Sequence, residues 1–284
     1  MKSKYDYKER LQQVKEYLRA SYANTVEVKV LERLSHFSYR NLQRIFKGYF
    51  GETIGAYITR LKVESCAKMV LFSKVTITEI AYEVGYSDVQ ALSKAFKKHF
   101  GISPSAYRDR KEELVFKQKT QSKGMSFVQD RVEVLPAKKV MYMTYKGSYD
   151  SEEIEELWQM IDQLAVEKQI DTTASESFGI IWDEPIITED MKCNYDACIV
   201  IPEDTSDLKK YQIKEVPSQK YAVFTHVGSY KTISNTYDKI FGQWIFQTDH
   251  EIGITPFLEF YTKHSSHTND ENAFETEIFV PLKE

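Results

Sequence analysis

Two sets of side chains, fifty positions apart, share one spacing and one kind of chemistry. Gln90, Ser93, Lys94 and Lys97 fall at i, i+3, i+4 and i+7, and Arg40, Gln43, Arg44 and Lys47 repeat the pattern. On a helix each set makes one face. Amide and guanidinium groups match the donor and acceptor edges of bases, while ammonium groups neutralise phosphates. Gln43, Arg44, Gln90 and Lys94 are therefore the candidates for base edges. Arg40 can reach bases or phosphate, and Lys47, Lys97 and Lys98 suit phosphates.

Such faces need a scaffold that presents a helix to the major groove of double-stranded DNA. Residues 76–108 supply one. Thr76 with Glu79 forms a capping box, and Val75 with Ile80 is spaced as a hydrophobic staple. Gly85 ends the first helix in a left-handed conformation that glycine adopts cheaply. Ser87 is expected to cap a second helix, with Leu92, Ala95, Phe96 and His99 on its apolar side. Phe100, Gly101, Pro104, Tyr107 and Arg108 form the tail. An ordinary helical hairpin with a solvated face shares the spacing; the complete run of caps, turn and tail separates the two.

These residues resemble the signature of the AraC/XylS family of bacterial transcription regulators, over roughly residues 8–108. The resemblance implies a DNA-binding domain of two helix-turn-helix units joined by a long central helix. The chain carries the duplication itself. Leu42, Phe46, Lys47, Phe50, Gly51, Ala56, Tyr57 and Arg60 return fifty positions later as Leu92, Phe96, Lys97, Phe100, Gly101, Ala106, Tyr107 and Arg110. In the first unit a recognition helix from Ser38 should turn Leu42, Ile45, Phe46 and Tyr49 inward. That unit departs from the pattern at two points: His36 stands where the turn usually has glycine, and its supporting helix starts near Glu27 with β-branched residues and no Ser or Thr cap.

Charge divides the chain at the same place. Residues 1–120 carry 23 Lys and Arg against 13 Asp and Glu, and the remainder 15 against 29. The basic part suits phosphate contacts. An acidic part is repelled by DNA and must do something else. The 284 residues allow two domains with separate cores. Cys66, Cys193 and Cys198 give neither a disulfide framework nor paired metal-ligand spacing. No apolar h-region follows Met1 and no run approaches the ~18 apolar residues of a membrane span, so the expectation is a soluble, cytoplasmic protein. The stretch 113–125 is polar, rich in Lys and Gln, and reads as a linker between domains at 1–112 and 126–284.

The second domain repeats at an offset of 81: Pro136, Lys139, Thr144, Gly147, Ser148 and Tyr149 return as Pro217, Lys220, Thr225, Gly228, Ser229 and Tyr230. Each copy reads as a strand, a Gly-Ser-Tyr turn, a helix and two strands. The first has strand 140–145, helix 152–166 and strands 178–182 and 196–201. The second has strand 221–227, a helix through Ile233, Tyr237, Ile240, Phe241 and Trp244, and strands 257–261 and 275–280. Two tandem βαββ units predict an α+β domain with a pseudo-two-fold axis.

This arrangement resembles the GyrI-like effector domain over residues 126–284. The resemblance implies a cleft between the repeats that takes aromatic, often cationic, small molecules. It also implies an acidic contact from the strand 257–261, here Glu259. Spacing alone, with Glu259 between Leu258 and Phe260, favours a solvent-facing carboxylate, and it is the resemblance that points to a ligand contact. Trp182 and Tyr261 on comparable strands follow as candidate ligand contacts, then Tyr149 and Tyr230. Most other aromatics, with Trp158 and Trp244 on helix faces, read as core.

No nucleophile elbow, phosphate-cradling glycine loop or zinc-binding helix motif is present. His264 and His267 lie in a polar loop, and Glu152, Glu153, Glu155 and Glu156 read as a solvated helix face. The expectation is a regulator without catalytic residues, cofactor or metal. Its expected partners are double-stranded DNA, a small-molecule effector and RNA polymerase, with no membrane. The alternative is that the GyrI-like domain binds another protein or hydrolyses small molecules.

Overall fold

The computed structural model describes residues 4–110, 129–171, 175–202, 205, 213–264 and 268–283. The linker expected at 113–125, and His267, lie outside the described residues. The chain divides into two compact units, Met1–Arg110 and Lys111–Glu284.

The first unit is helical: α1 (Lys4–Ser21), α2 (Val28–Ser35), α3 (Tyr39–Phe50), α4 (Ile54–Phe72), α5 (Ile77–Glu83), α6 (Val89–Phe100) and α7 (Pro104–Asp109). Its two halves repeat in detail. Leu42, Phe46, Leu92 and Phe96 are fully buried. Gly51 and Gly101 end their helices at φ 81° and 80°. Thr53 and Ser103 cap the helices that follow. Phe46 meets Tyr57 edge-on at 5.7 Å, as Phe96 meets Tyr107 at 5.3 Å. The central α4 runs between them. Arg60 on α4 bonds Glu52 and Glu64, and His99 Nε2 of α6 lies 3.8 Å from the same Glu64.

The turns behave as their residues dictate. Thr76 and Glu79 form the reciprocal capping box. Gly85 has φ +79°, and a Cβ built on it would lie 2.0 Å from the Ala23 carbonyl oxygen, so glycine is required on two grounds. His36 takes φ 54°, left-handed as its position demands. Three expectations are corrected. Asp88, not Ser87, caps α6 by accepting from Ala91 N–H, because its carboxylate reaches the first turn. Tyr49, expected inward, is 49% exposed, its ring turned edge-on to Phe50 outside the core. His99, expected on the apolar side, is an exposed residue whose Nε2 sits against Glu64 rather than in the core.

The second unit is an eight-stranded, wholly antiparallel sheet: β1 (Arg131–Leu135), β2 (Lys138–Lys146), β3 (Ser177–Ile181), β4 (Asn194–Val200), β5 (Ile213–Val216), β6 (Gln219–Val227), β7 (Phe257–Lys263) and β8 (Glu275–Pro281). A helix α8 (Glu153–Glu167) follows β2. After β6 come a 3-10 turn (Tyr230–Thr232), α9 (Ser234–Lys239), a π turn (Ile240–Trp244) and a last helical turn, Ile245–Gln247. The expected single second helix is thus interrupted.

The strand order is β1-β6-β8-β7-β3-β4-β2-β5. Exchanging the two repeats reverses this row onto itself, which is the pseudo-two-fold axis. The axis passes between β3 and β7, where Gly179 faces Glu259. Sequence reading missed β1 and β5. Each leads its repeat but pairs with the other one, β1 on β6 and β5 on β2. An ion pair fastens each, Arg131 to Glu277 and Lys214 to Asp196, with the two carboxylates standing at the repeat offset of 81.

Register divides the sheet into two faces, because successive side chains alternate. Phe178, Ile180, Leu258, Phe260 and Phe279 share one buried cluster with Tyr142 and Tyr221. Glu259 and Tyr261 lie on the opposite face, with Gly179 in register with Glu259 and Tyr195 two positions along from Ala197 on the same face, and there α8 and α9 pack. Trp244 of the π turn sits on this face against Phe224 at 5.0 Å, its indole donating to Gln129.

Candidate functional site

On the helical unit, α3 and α6 present the expected faces. Arg40, Gln43, Arg44 and Lys47 are exposed on α3; Gln90, Lys94, Lys97 and Lys98 are exposed on α6, with Ser93 half-buried between them. Arg44 is steadied by Asn41, which accepts from its guanidinium at 2.9 Å. Leu42 and Phe46, Leu92 and Phe96 anchor the backs of the two helices, so the polar faces cannot rotate inward.

On the sheet unit, Glu259 is the centre of a polar cluster. Its side chain sits beneath α9 and is 8% exposed. Tyr237, from α9, donates to Oε1 at 2.7 Å, and Tyr261, two residues along β7, donates to Oε2 at 2.9 Å. Tyr195 of β4 reaches across the sheet to Tyr261, hydroxyl to hydroxyl at 2.8 Å, and Trp158 of α8 donates its indole N–H to Tyr195 at 2.9 Å. Trp158 and Tyr230 stand edge-on to the Tyr261 ring at 5.4 and 5.5 Å. Tyr237 stacks toward Phe241 and Phe257.

Gly179 makes this possible. A Cβ there would lie 2.5 Å from the Tyr195 hydroxyl and 2.6 Å from its ring, so only glycine lets the phenol cross the sheet.

Burial pushes the Glu259 carboxyl above the ordinary carboxylate value, and the hydrogen bonds from Tyr237 and Tyr261 oppose that rise. Burial likewise raises Tyr237, Tyr195 and Tyr261 well above the usual phenol, with the Glu259 charge adding to it. Tyr230 is pushed up to about 12 by burial first and Glu259 second. All four phenols stay neutral, and no basic side chain bonds to Glu259 among the described residues. The arrangement is a desolvated carboxylate held by phenols and bordered by aromatic rings, which suits a flat cation.

Of the ligand contacts expected from sequence, the structure brings together Glu259, Tyr261 and Tyr230. Tyr149 is a strut: its hydroxyl accepts from Asp183 N–H at 3.1 Å and bonds the Asp183 and Asn194 carbonyls. Trp182 lies elsewhere. It follows the end of β3 with the parity of Ile180, so it packs on the opposite face, donates to Asp196 at 2.5 Å and borders Lys214. Tyr195, Tyr237, Trp158 and Gly179 were missed as site residues. A phenol in an otherwise apolar stripe, as at Tyr237, was the available signal, since a buried phenol needs a partner. Tyr195 fell one residue outside a strand whose start was read two residues late.

Comparison with known proteins agrees with both units. The model of the GyrI-like small molecule binding domain matches residues 130–283, more than half of the chain. A helix-turn-helix domain model matches residues 31–110. The putative HTH-type transcriptional regulator YkgA of Escherichia coli is 29% identical over 100 residues, which are 35% of this chain and 42% of YkgA. The match to this relative thus spans less than half of its length. The probable transcriptional regulator YgiV of the same organism is 30% identical over 110 residues, 38% of this chain and 68% of YgiV. Among solved structures, the C-terminal domain of EcmrR is 17% identical and aligns over 56% of this chain and 99% of its own, at a TM-score of 0.48. The chain belongs to the GyrI-like small-molecule-binding family and carries that domain behind an AraC-type helix-turn-helix domain.

Proposed function

We propose that the chain is a DNA-binding transcription regulator whose sheet unit senses an aromatic cation through Glu259. The observation that carries this reading is the buried carboxylate with two phenol donors and no cation of its own among the described residues. A bound cation offsets the desolvation that a neutral molecule leaves uncompensated. Tyr261 and Tyr230 supply ring edges and faces for the aromatic part. Binding without turnover fits a sensor joined to a DNA reader. On this reading Gln43, Arg44, Gln90 and Lys94 meet base edges, Arg40 meets bases or phosphate, and Ser93, Lys47, Lys97 and Lys98 meet the backbone. RNA polymerase is the further partner, and the protein works in the cytoplasm. No helix of the described residues is long and apolar enough to cross a membrane.

The test is calorimetric titration of the full chain with tetraphenylphosphonium, a cation whose charge does not titrate, and with neutral triphenylphosphine oxide. Glu259→Gln keeps the volume and removes the charge. It is expected to weaken the cation about ten- to a hundredfold, through loss of the charge–charge attraction in a desolvated site, and the neutral compound far less. Equal losses, or none, would remove Glu259 from the site.

A further inference from the structure

Glu259 ends a single file of hydrogen bonds. Trp158 Nε1 lies 2.9 Å from the Tyr195 hydroxyl, that hydroxyl 2.8 Å from Tyr261, and Tyr261 2.9 Å from Glu259 Oε2. The two ends differ in kind. An indole N–H only donates and an ionised carboxylate only accepts, whereas each phenol between them can do either. With the Tyr195 oxygen already receiving the indole proton, its own proton points to Tyr261. Tyr261 must then give its proton to Glu259. From this file we infer that Trp158 is a positioning residue for cation recognition: it fixes the direction of the phenol protons, so that Glu259 receives a donor and stays ionised while buried.

The inference rests on the reading of Glu259 as the cation contact. Its chemistry is specific. Protonated Glu259 has a hydroxyl of its own to place, and the file meets it with Tyr261 already donating. Without the indole proton, Tyr195 is free to accept from Tyr261, and the carboxylate can lose one of its two donors. Burial then acts on it less opposed. The groups that face Glu259 are Tyr237 from α9, Tyr230 from the turn before it, Tyr261 on its own strand and Tyr195 from β4. Glu184 and Tyr149 act on Tyr237 in turn. None of these supplies a positive charge that could replace the missing donor.

The experiment follows tetraphenylphosphonium affinity of the full chain against pH, with circular dichroism to check folding. In the wild type, affinity falls as pH drops through the Glu259 midpoint. Trp158→Phe keeps an aromatic ring and removes the donor; its midpoint should move up by about one pH unit, the worth of one lost donor to a charged group. Between the two midpoints it binds about two- to fivefold more weakly, the loss approaches about tenfold below both, and well above both it binds within about twofold of wild type. Adding Tyr195→Phe removes the competing acceptor, so the double variant should return toward the wild-type midpoint. Tyr195→Phe alone leaves Tyr261 with only Glu259 to donate to and should keep that midpoint; it bears on the point even if Trp158→Phe does not fold. An unmoved midpoint in Trp158→Phe, a loss uniform across pH, no return in the double variant, or a one-unit rise in Tyr195→Phe alone would overturn the role of Trp158. A wild-type protein that does not bind the probe, or a Glu259→Gln variant that binds it equally well, would instead overturn the reading of Glu259.

Discussion

Gly179→Ala adds one carbon at the centre of the sheet. The ideal Cβ falls 2.5, 2.6 and 2.7 Å from the hydroxyl, Cε2 and Cζ of Tyr195, well inside any van der Waals separation. Those atoms belong to a rigid ring that is 2% exposed and tied at its tip to Trp158 and Tyr261, so it cannot swing aside freely. Overpacking of this kind costs about 1–3 kcal/mol, and breaking the two hydrogen bonds at the Tyr195 hydroxyl as the ring shifts adds about 1 kcal/mol each. The alanine recovers only about 0.4–1 kcal/mol by narrowing the unfolded ensemble, which does not reverse the sign. The expected net loss is about 2–4 kcal/mol. All three tryptophans lie in the second unit, so tryptophan fluorescence during urea unfolding reports on that unit alone. At typical urea slopes the midpoint should fall by about 1–2 M. In a Tyr195→Ala background the same substitution should cost far less, because the obstructing ring is gone. A Gly179→Ala protein within about 0.5 kcal/mol of wild type would show that Tyr195 does not occupy the space over this glycine.

The two turns of the helical unit should respond oppositely to substitution. Gly85→Ala meets both a left-handed backbone and the Ala23 carbonyl and should cost about 2–4 kcal/mol in thermal unfolding, whereas His36→Gly relieves its positive φ and should gain up to about 1 kcal/mol. Binding assays on DNA of varied sequence and salt should separate Arg44→Ala, which relaxes preference at one part of the site, from Lys97→Ala, which weakens all sequences and flattens the salt slope by about one. The raised carboxyl of Glu259 binds its proton more readily in the native state than in the unfolded chain. Stability of the ligand-free sheet unit should therefore be greater below the ordinary carboxylate value and fall as pH rises through the raised one. Glu259→Gln should abolish that part of the slope in urea unfolding followed against pH.

The helical unit was legible because its signals are local. A capping box spans four residues, a left-handed turn one glycine, and the duplicated Leu, Phe, Gly and Tyr skeleton a single fixed offset. The errors there are local too: Asp88 displaced Ser87 as cap because either short polar side chain can serve. In the sheet unit the repeat was visible, but not its pairing. Strands β1 and β5 are five and four residues long, and nothing in so short a run names a partner in the other repeat. The site was half legible for the same reason. Glu259, Tyr261 and Tyr230 sit near the repeated motifs, whereas Tyr195 and Tyr237 join them only through the fold. Trp182, expected beside Glu259, lies on the other face of the sheet, because a strand side chain one position out of step alternates away from it.

The exchanged strands set a condition on how the sheet unit comes into being. Arg131 must wait for Val223, its partner ninety-two positions later, and β6 in turn needs β8 at Glu275–Pro281. At ~5–20 residues per second, synthesis leaves β1 without its neighbour for roughly 5–18 s. Neither repeat can close its own sheet in that interval, so the nascent half offers strand edges rather than a finished surface. Loop closure over such distances makes this unit the slow step of folding, while the helical unit, made first and built from neighbouring contacts, has already formed. On the proposed reading, a protein assembled in this order has its helix-turn-helix unit before its effector-binding unit.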